Sequence, residues 1–280
     1  MEEPADAAGP IAAESEAAGL VSGPVPAESA VSASGVAVHG ILVERRSVRA
    51  AWAWWSDRRG RTGLVPFVTT LGPHALVEHD RGERPWAGGS RKLLESALRA
   101  EPSTVVSELR VSRLQEMTSD YFPPRDDADR QDIEECALLF DPEAVAAELA
   151  DRPEPGPQSP PRNGPEGDPL WLNFVEAKAG YEIPALFPSL LRTPNWSGHQ
   201  GRELLPADHV AVLRHWHDRY GAEFRYADSS TLELAVGRPP RGLPEIALAG
   251  VEQYVYCPDL GDAVIAGDQA GRSVWTFWWD

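Results

Sequence analysis

The chain has 280 residues, 43 acidic against 26 basic side chains and a net charge of −17, so general affinity for a nucleic-acid backbone is not its default property. Hydrophobic residues make up 42% and charged residues 25%, ordinary values that exclude disorder throughout and provide for a real core. Cys136 and Cys257 each lack a second cysteine within the two to four residues that zinc or redox motifs use, and no run of about 18 apolar residues occurs. The N-terminus opens with Glu2, Glu3 and Asp6, unlike a signal peptide. These features predict a reduced cytoplasmic protein without a membrane span, and the arginine, alanine and proline bias suggests a GC-rich bacterial genome.

The charge is unevenly placed. Residues 1–35 carry −6, residues 36–118 carry +4, residues 119–168 carry −10 and residues 169–280 carry −5. Most of the acidity thus lies in two segments whose composition predicts poor packing. In residues 1–35, 29 positions are Ala, Gly, Pro, Ser, Glu or Asp and none is aromatic, which predicts a disordered tail.

Residues 36–150 read as an α/β region. Val36–Glu44 is β-branched and suits a strand; Ser47 then caps a helix carrying Trp52, Trp54 and Trp55 that stops near Gly60. Leu64–Leu71 is a second strand and Ala75–Glu78 a candidate third. Ser90–Arg99 and Thr104–Thr118 read as helices, and the acidic Asp126–Ala150 as partly helical. Residues 151–169 hold seven prolines in nineteen positions, the composition of a semi-rigid spacer.

Residues 170–280 form the second region. Leu170, Leu172 and Phe174 alternate in a strand, Leu170–Glu176, and Tyr181–Phe187 is a further extended piece bounded by prolines. Pro206 opens a helix that runs to Tyr220, with Asp208 in its first turn and Gly221 as its stop. Ala222–Ala227 and Thr231–Val236 make a hairpin, and Leu243–Tyr256 is a helix ended by Pro258. In the closing Ser273–Trp279, Val274 and Trp278 share one face while Trp275, Phe277 and Trp279 share the other. A strand apolar on both faces is expected in the middle of a sheet.

Four blocks of this region, RHWHDRYGAEF (Arg214–Phe224), TLELAVGRPP, the run Tyr254–Asp259 and the closing VWTFWWD, resemble in order the bacterial domain-of-unknown-function family numbered 4253. The resemblance covers residues 170–280 and implies a compact α+β domain with no activity, cofactor or catalytic residue to carry over. Ala51–Val68 also resembles the region preceding this domain in longer members. Leu260–Arg272 departs from the family picture, being short and glycine-rich for the helix expected there. The fold class is therefore α+β: a mixed, mostly antiparallel sheet with packed helices, preceded by the disordered tail and the α/β N-terminal region.

Several residue groups invite a functional reading, each against a plainer one. Trp278, Trp279 and Asp280 place aromatic walls beside a carboxylate, which suits a cationic or ring-bearing ligand; packing alone also explains the rings, since each buried aromatic covers about 150–250 Å² and contributes roughly 4–6 kcal/mol gross. Asp280 adds its side chain to the terminal carboxylate, so a basic group is expected nearby. Cys257, before Pro258 and Asp259, is a nucleophile only if a neighbour lowers its pKa, and a buried small thiol is the simpler reading. Asp259 suits a cap of the following turn. His199, His209, His215 and His217 have spacings unlike helical metal ligands and are expected on a solvated surface. Asn195–His199 lacks a nucleophile elbow, and no phosphate loop, dinucleotide fingerprint or zinc-hydrolase motif occurs. Arg45, Arg46, Arg49, Arg58, Arg59 and Arg61 around three tryptophans allow a minority reading as a single-strand nucleic-acid surface.

No motif fixes a reaction, and neither cofactor nor metal is expected. The leading expectation is a binding or interaction module, of the kind that sequesters a basic protein by charge complementarity. The alternative is a hydrolase-like enzyme using Asp259, Asp280 or Cys257 in a pocket walled by Trp196, Trp216 and Trp278, with Trp279 and Tyr220 as further candidate binding residues. A third is small-molecule sensing without turnover.

Overall fold

A computed structural model describes residues 7–83, 89–152 and 167–280. In chain order its elements are α1 (Ala8–Ala17), β1 (Ala27–Val31), β2 (Ala37–Val43), α2 (Arg45–Ser56), α3 (Arg59–Thr62), β3 (Leu64–Thr69), α4 (Pro73–Glu83), α5 (Gly89–Ala97), α6 (Pro102–Met117), α7 (Asp127–Leu138), α8 (Pro142–Asp151), β4 (Leu170–Glu176), α9 (Ile183–Leu186), α10 (Pro206–Tyr220), β5 (Ala222–Asp228), β6 (Thr231–Val236), α11 (Leu243–Tyr256), α12 (Ala263–Ala270) and β7 (Val274–Trp278). The strands form one open sheet in the order β1-β2-β4-β3-β5-β6-β7. β4 pairs antiparallel with both β2 and β3, β1 pairs antiparallel with β2, and β3 pairs parallel with β5. This is an α+β fold on a mixed, mostly antiparallel sheet. No helix among the described residues is long and apolar enough to cross a membrane.

The chain divides into two compact units that interleave along the sequence. One draws on residues 1–99, 160–192 and 223–233, the other on residues 100–159, 193–222 and 234–280. This differs from the contiguous regions 36–150 and 170–280 expected from composition, because strand pairing brings β4 and β5 to the strands upstream of them. Of the proline-rich stretch 151–169, residues 153–166 lie outside the described residues.

In the first unit, β4 is buried on both faces: Leu172, Asn173, Phe174 and Val175 are fully covered. Helix α2 packs its tryptophans inward. The Trp55 ring meets Phe174 edge-on at 5.0 Å, and its Nε1 donates to Ser15 Oγ at 3.0 Å; Trp52 Nε1 donates to Pro66 O at 3.0 Å. The Asn173 amide is accommodated because Nδ2 donates to Thr69 Oγ1 (2.9 Å) and Leu71 O (3.1 Å). A Cβ at Gly40 would lie 2.6 Å from Asn173 Oδ1, so that position admits no side chain.

Three expectations are corrected in this unit. Residues 8–17 and 27–31, expected in a disordered tail, are helix α1 and strand β1, with Ala8, Ile11 and Ser15 buried and β1 registered on β2 through Ala30 and Val38. The tail needs no aromatic residue of its own, since α2 supplies the ring surface. Ala75–Glu78, a candidate strand, belongs to α4, whose start Pro73 presets and whose Leu76 and Val77 are buried. Tyr181–Phe187 is not extended: Gly180–Glu182 is a 3₁₀ turn running into α9, where Pro184 sits in the first turn and has no amide hydrogen to lose.

In the second unit α10 begins at Pro206, and its first turn is closed by the Leu205 amide donating to Asp208 Oδ2 at 2.8 Å. It ends at Gly221, which takes left-handed backbone (φ 62°). Leu260–Arg272, short and glycine-rich, nevertheless contains helix α12, capped by Asp262, whose Oδ1 accepts from Ile265 N at 2.6 Å. The glycines serve close approach. A Cβ on Gly250 of α11 would lie 2.5 Å from Ala263 O and 2.8 Å from Gly267 N, so the two helices touch backbone to backbone.

Candidate functional site

The terminal strand supplies the core of the second unit. Trp275, Phe277 and Trp279 are fully buried, while Val274, Thr276 and Trp278 on the other face are half-buried. Trp216 of α10 stacks on Phe277 at 5.4 Å and meets Trp275 and Tyr256 edge-on at 5.5 and 5.3 Å. Tyr220 meets Trp275 at 5.5 Å, and Trp279 meets Tyr256 at 5.3 Å, its Nε1 donating to Tyr256 O. Trp216, Tyr220 and Trp279 are therefore packing residues. β7 is not in the middle of the sheet as expected but is its last strand, and its ring-bearing face is covered by Trp216 and Tyr220 of α10, Tyr256 of α11 and α12, whose Ala270 O accepts from Trp275 Nε1.

Asp259, Asp280 and Trp196 are brought together. Asp259 Oδ2 accepts from Asn195 Nδ2 (2.6 Å) and from the Asp280 amide (3.1 Å), while the Asp280 side chain is exposed. Asp259 thus joins the 193–202 loop to the chain end, where a cap of the following turn was expected. Trp196 is buried, its Nε1 donating to Val255 O at 2.8 Å, and the guanidinium groups of Arg113 and Arg202 lie 5.9 and 5.8 Å from its ring. Arg113 also donates to Ser197 O. Burial lowers the Arg113 pKa, and the Asp259 charge acts against that lowering. Arg113 comes from α6, far outside the segments that the sequence singled out, and it acts on Asp259, whereas the basic group was expected beside Asp280.

The aromatic-walled pocket is not formed, since Trp196 and Trp216 are both sealed in the core. Cys257 is buried and donates through Sγ to Trp278 O at 3.0 Å. Burial pushes its thiol up to about 12, so thiolate is scarce at neutral pH.

Of the four histidines, His199 is exposed as expected and His215 and His217 are half-buried, while His209 is not on the surface. His209 is buried against Tyr256, with Nδ1 2.6 Å from Tyr256 OH, and burial brings its pKa down to about 3. His215 Nε2 lies 3.0 Å from Glu252 Oε1. Glu252, on α11, also accepts from Trp216 Nε1 and Arg219 Nη1, both at 2.9 Å. One carboxylate fixed by three donors joins α10 to α11, and no spacing in the sequence announces it. Among the described residues no group of three or more His, Cys, Asp or Glu side chains is placed to hold a metal ion.

The arginines around α2 are partly committed. Arg46 pairs with Glu44, Arg49 with the buried Glu233, and Arg59 with Glu223; Arg58 lies over the Trp54 ring at 3.3 Å from its centroid. Arg225 also pairs with Glu233.

A different surface stands out on α7. Asp129, its single buried residue, is held by Arg125 and driven down to about 2 by that hydrogen bonding. Asp127, Glu134, Glu135 and Leu138 are exposed, Leu138 at 54%, and Phe122 just upstream at 73%. Helical spacing sets Leu138 directly over Glu134 and Glu135. Residues 119–151 hold eleven acids against Arg125 and Arg130. No curated protein and no solved structure matches the chain. The family model described as "Domain of unknown function (DUF4253)" does match, over residues 172–280, and the C-terminal part of the chain is a domain of that family.

Proposed function

We propose that the chain is a binding module that holds a basic protein partner on the acidic face of α7. One observation carries this reading: α7 is a helix that buries no apolar side chain, yet presents Leu138 one turn from the exposed carboxylates of Glu134 and Glu135. A helix in a folded domain ordinarily buries an apolar stripe, and an exposed apolar residue ringed by one sign of charge is the pattern of a surface that meets a complementary partner. The arginine pairing around α2 favours this reading over phosphate binding, because three of its six guanidinium groups already face carboxylates. The buried thiol of Cys257 and the sealed Trp196 and Trp216 favour it over hydrolysis. A reduced intracellular setting suits the two unpaired cysteines.

The test is partner recovery by the full chain at low salt, in parallel with the variant Glu134→Lys, Glu135→Lys, Leu138→Ser. The wild type is expected to retain a basic protein that is released by about 0.5 M salt, where the screening length falls to a few ångströms, and the variant is expected to retain none. Equal recovery by both chains, or none by the wild type, rejects the reading.

A further inference from the structure

The outer edge of β7 has the composition of a strand that recruits another strand. Val-Trp-Thr-Phe-Trp carries no charge and no proline, and an uncovered edge of that kind is a ready template for pairing. Backbone groups along a strand point alternately to either side. Val236 N donates to Ser273 O at 2.8 Å, so the odd-numbered residues face β6 and the even-numbered ones face outward.

Three successive outward positions are already occupied by side chains. The Thr276 amide donates to Gln269 Oε1 (2.7 Å), the Trp278 carbonyl accepts from Cys257 Sγ (3.0 Å), and the Asp280 amide donates to Asp259 Oδ2 (3.1 Å). Each of these groups is braced in turn. Gln269 Nε2 donates to Oε1 of the fully buried Gln253, and Asp259 accepts from Asn195. The two-residue step from Cys257 to Asp259 across Pro258 matches the two-residue step from Trp278 to Asp280. We infer that Gln269, Cys257 and Asp259 form a side-chain lock on the open edge of β7, which keeps a second copy of this chain from adding its own β7 there. A second copy is the fitting occupant because an identical strand offers the same uncharged, proline-free backbone edge, and antiparallel pairing about a two-fold axis closes the contact. The inference is independent of the acidic face of α7.

The full chain carrying Gln269→Ala with Asp259→Ala is compared with the wild type by light scattering over a range of concentrations. The variant is expected to approach about twice the wild-type mass as concentration rises, while Asp259→Asn, which keeps an acceptor oxygen, follows the wild type. A double variant that is folded by circular dichroism and has the wild-type mass throughout overturns the inference. Should the double variant unfold, amide exchange on the wild type decides: Thr276 and Asp280 are expected to exchange roughly 100-fold or more slowly than unprotected amides, and exchange at the unprotected rate rejects the lock.

Discussion

His209 and Cys257 show how burial converts reactive side chains into structural ones. His209 has a folded-state pKa of about 3 against an unfolded value of about 6.5. Above pH 6.5 both states are neutral and its contribution is intact; as pH falls from there toward 3 the unfolded chain takes up a proton that the native state refuses, costing about 1.4 kcal/mol per pH unit. The stability advantage of wild type over His209→Gln is therefore expected to shrink across that window, as read by urea unfolding at several pH values. Cys257 has the opposite sign. Its thiol is raised to about 12, so its contribution is full below about pH 8.5, the unfolded value, and fades as pH rises toward 12. At pH 8, iodoacetamide is expected to modify Cys257 only after the protein is unfolded, which mass spectrometry of native and denatured samples will show.

At the scale of elements, the contact between α11 and α12 is the least forgiving. Gly250→Ala drives a methyl group into the Ala263 carbonyl and the Gly267 backbone, and neither can swing away as a side chain does. It is expected to cost about 1–3 kcal/mol or more. At Gly60 no heavy atom comes within 4 Å of an added Cβ, and Gly60→Ala is expected to be neutral or stabilising by up to about 1 kcal/mol; thermal unfolding of the two variants makes the comparison.

The elements most legible in the sequence were those with local punctuation. β4, α10 and α11 fall at the residues expected, because Pro206 opens α10 and Gly221 closes it, Pro258 ends α11, and alternation marks β4. Elements whose reasons lie elsewhere in the chain were not legible. α1 and β1 are ordered by rings and a strand supplied later, and α9 reads as extended until its Pro184 is seen in a first turn. The same holds for the sites. Asp259 accepts from the Asp280 amide, a bond that its expected role as a turn cap does not foretell, and Gln269, Glu252 and Arg113 carry no local sign of what they hold.

For the whole molecule, the aromatic cluster around Trp216 gathers four fully buried rings, Trp216, Trp275, Phe277 and Trp279, in the second unit. Trp216→Ala is expected to cost about 3–5 kcal/mol, and deletion of residues 273–280, which removes three fully buried rings, to abolish cooperative unfolding of that unit in calorimetry. The net charge of −17 works against compactness. Raising ionic strength from about 0.05 to 0.5 M is therefore expected to raise the melting temperature, since it screens repulsion between carboxylates more than it weakens the buried pairs.

The interleaving of the two units has a consequence for inheritance. The family match begins at Leu172, inside β4, and both neighbours of β4, namely β2 and β3, are encoded upstream of it. A gene fragment cut at that boundary carries the family signature yet leaves β4 with two bare flanks, and fusion or shuffling within residues 151–169 separates β2 and β3 from the β4 with which they pair. A stretch that keeps β4 with both of its neighbours has to begin at β2 or before it, well upstream of the 172–280 match.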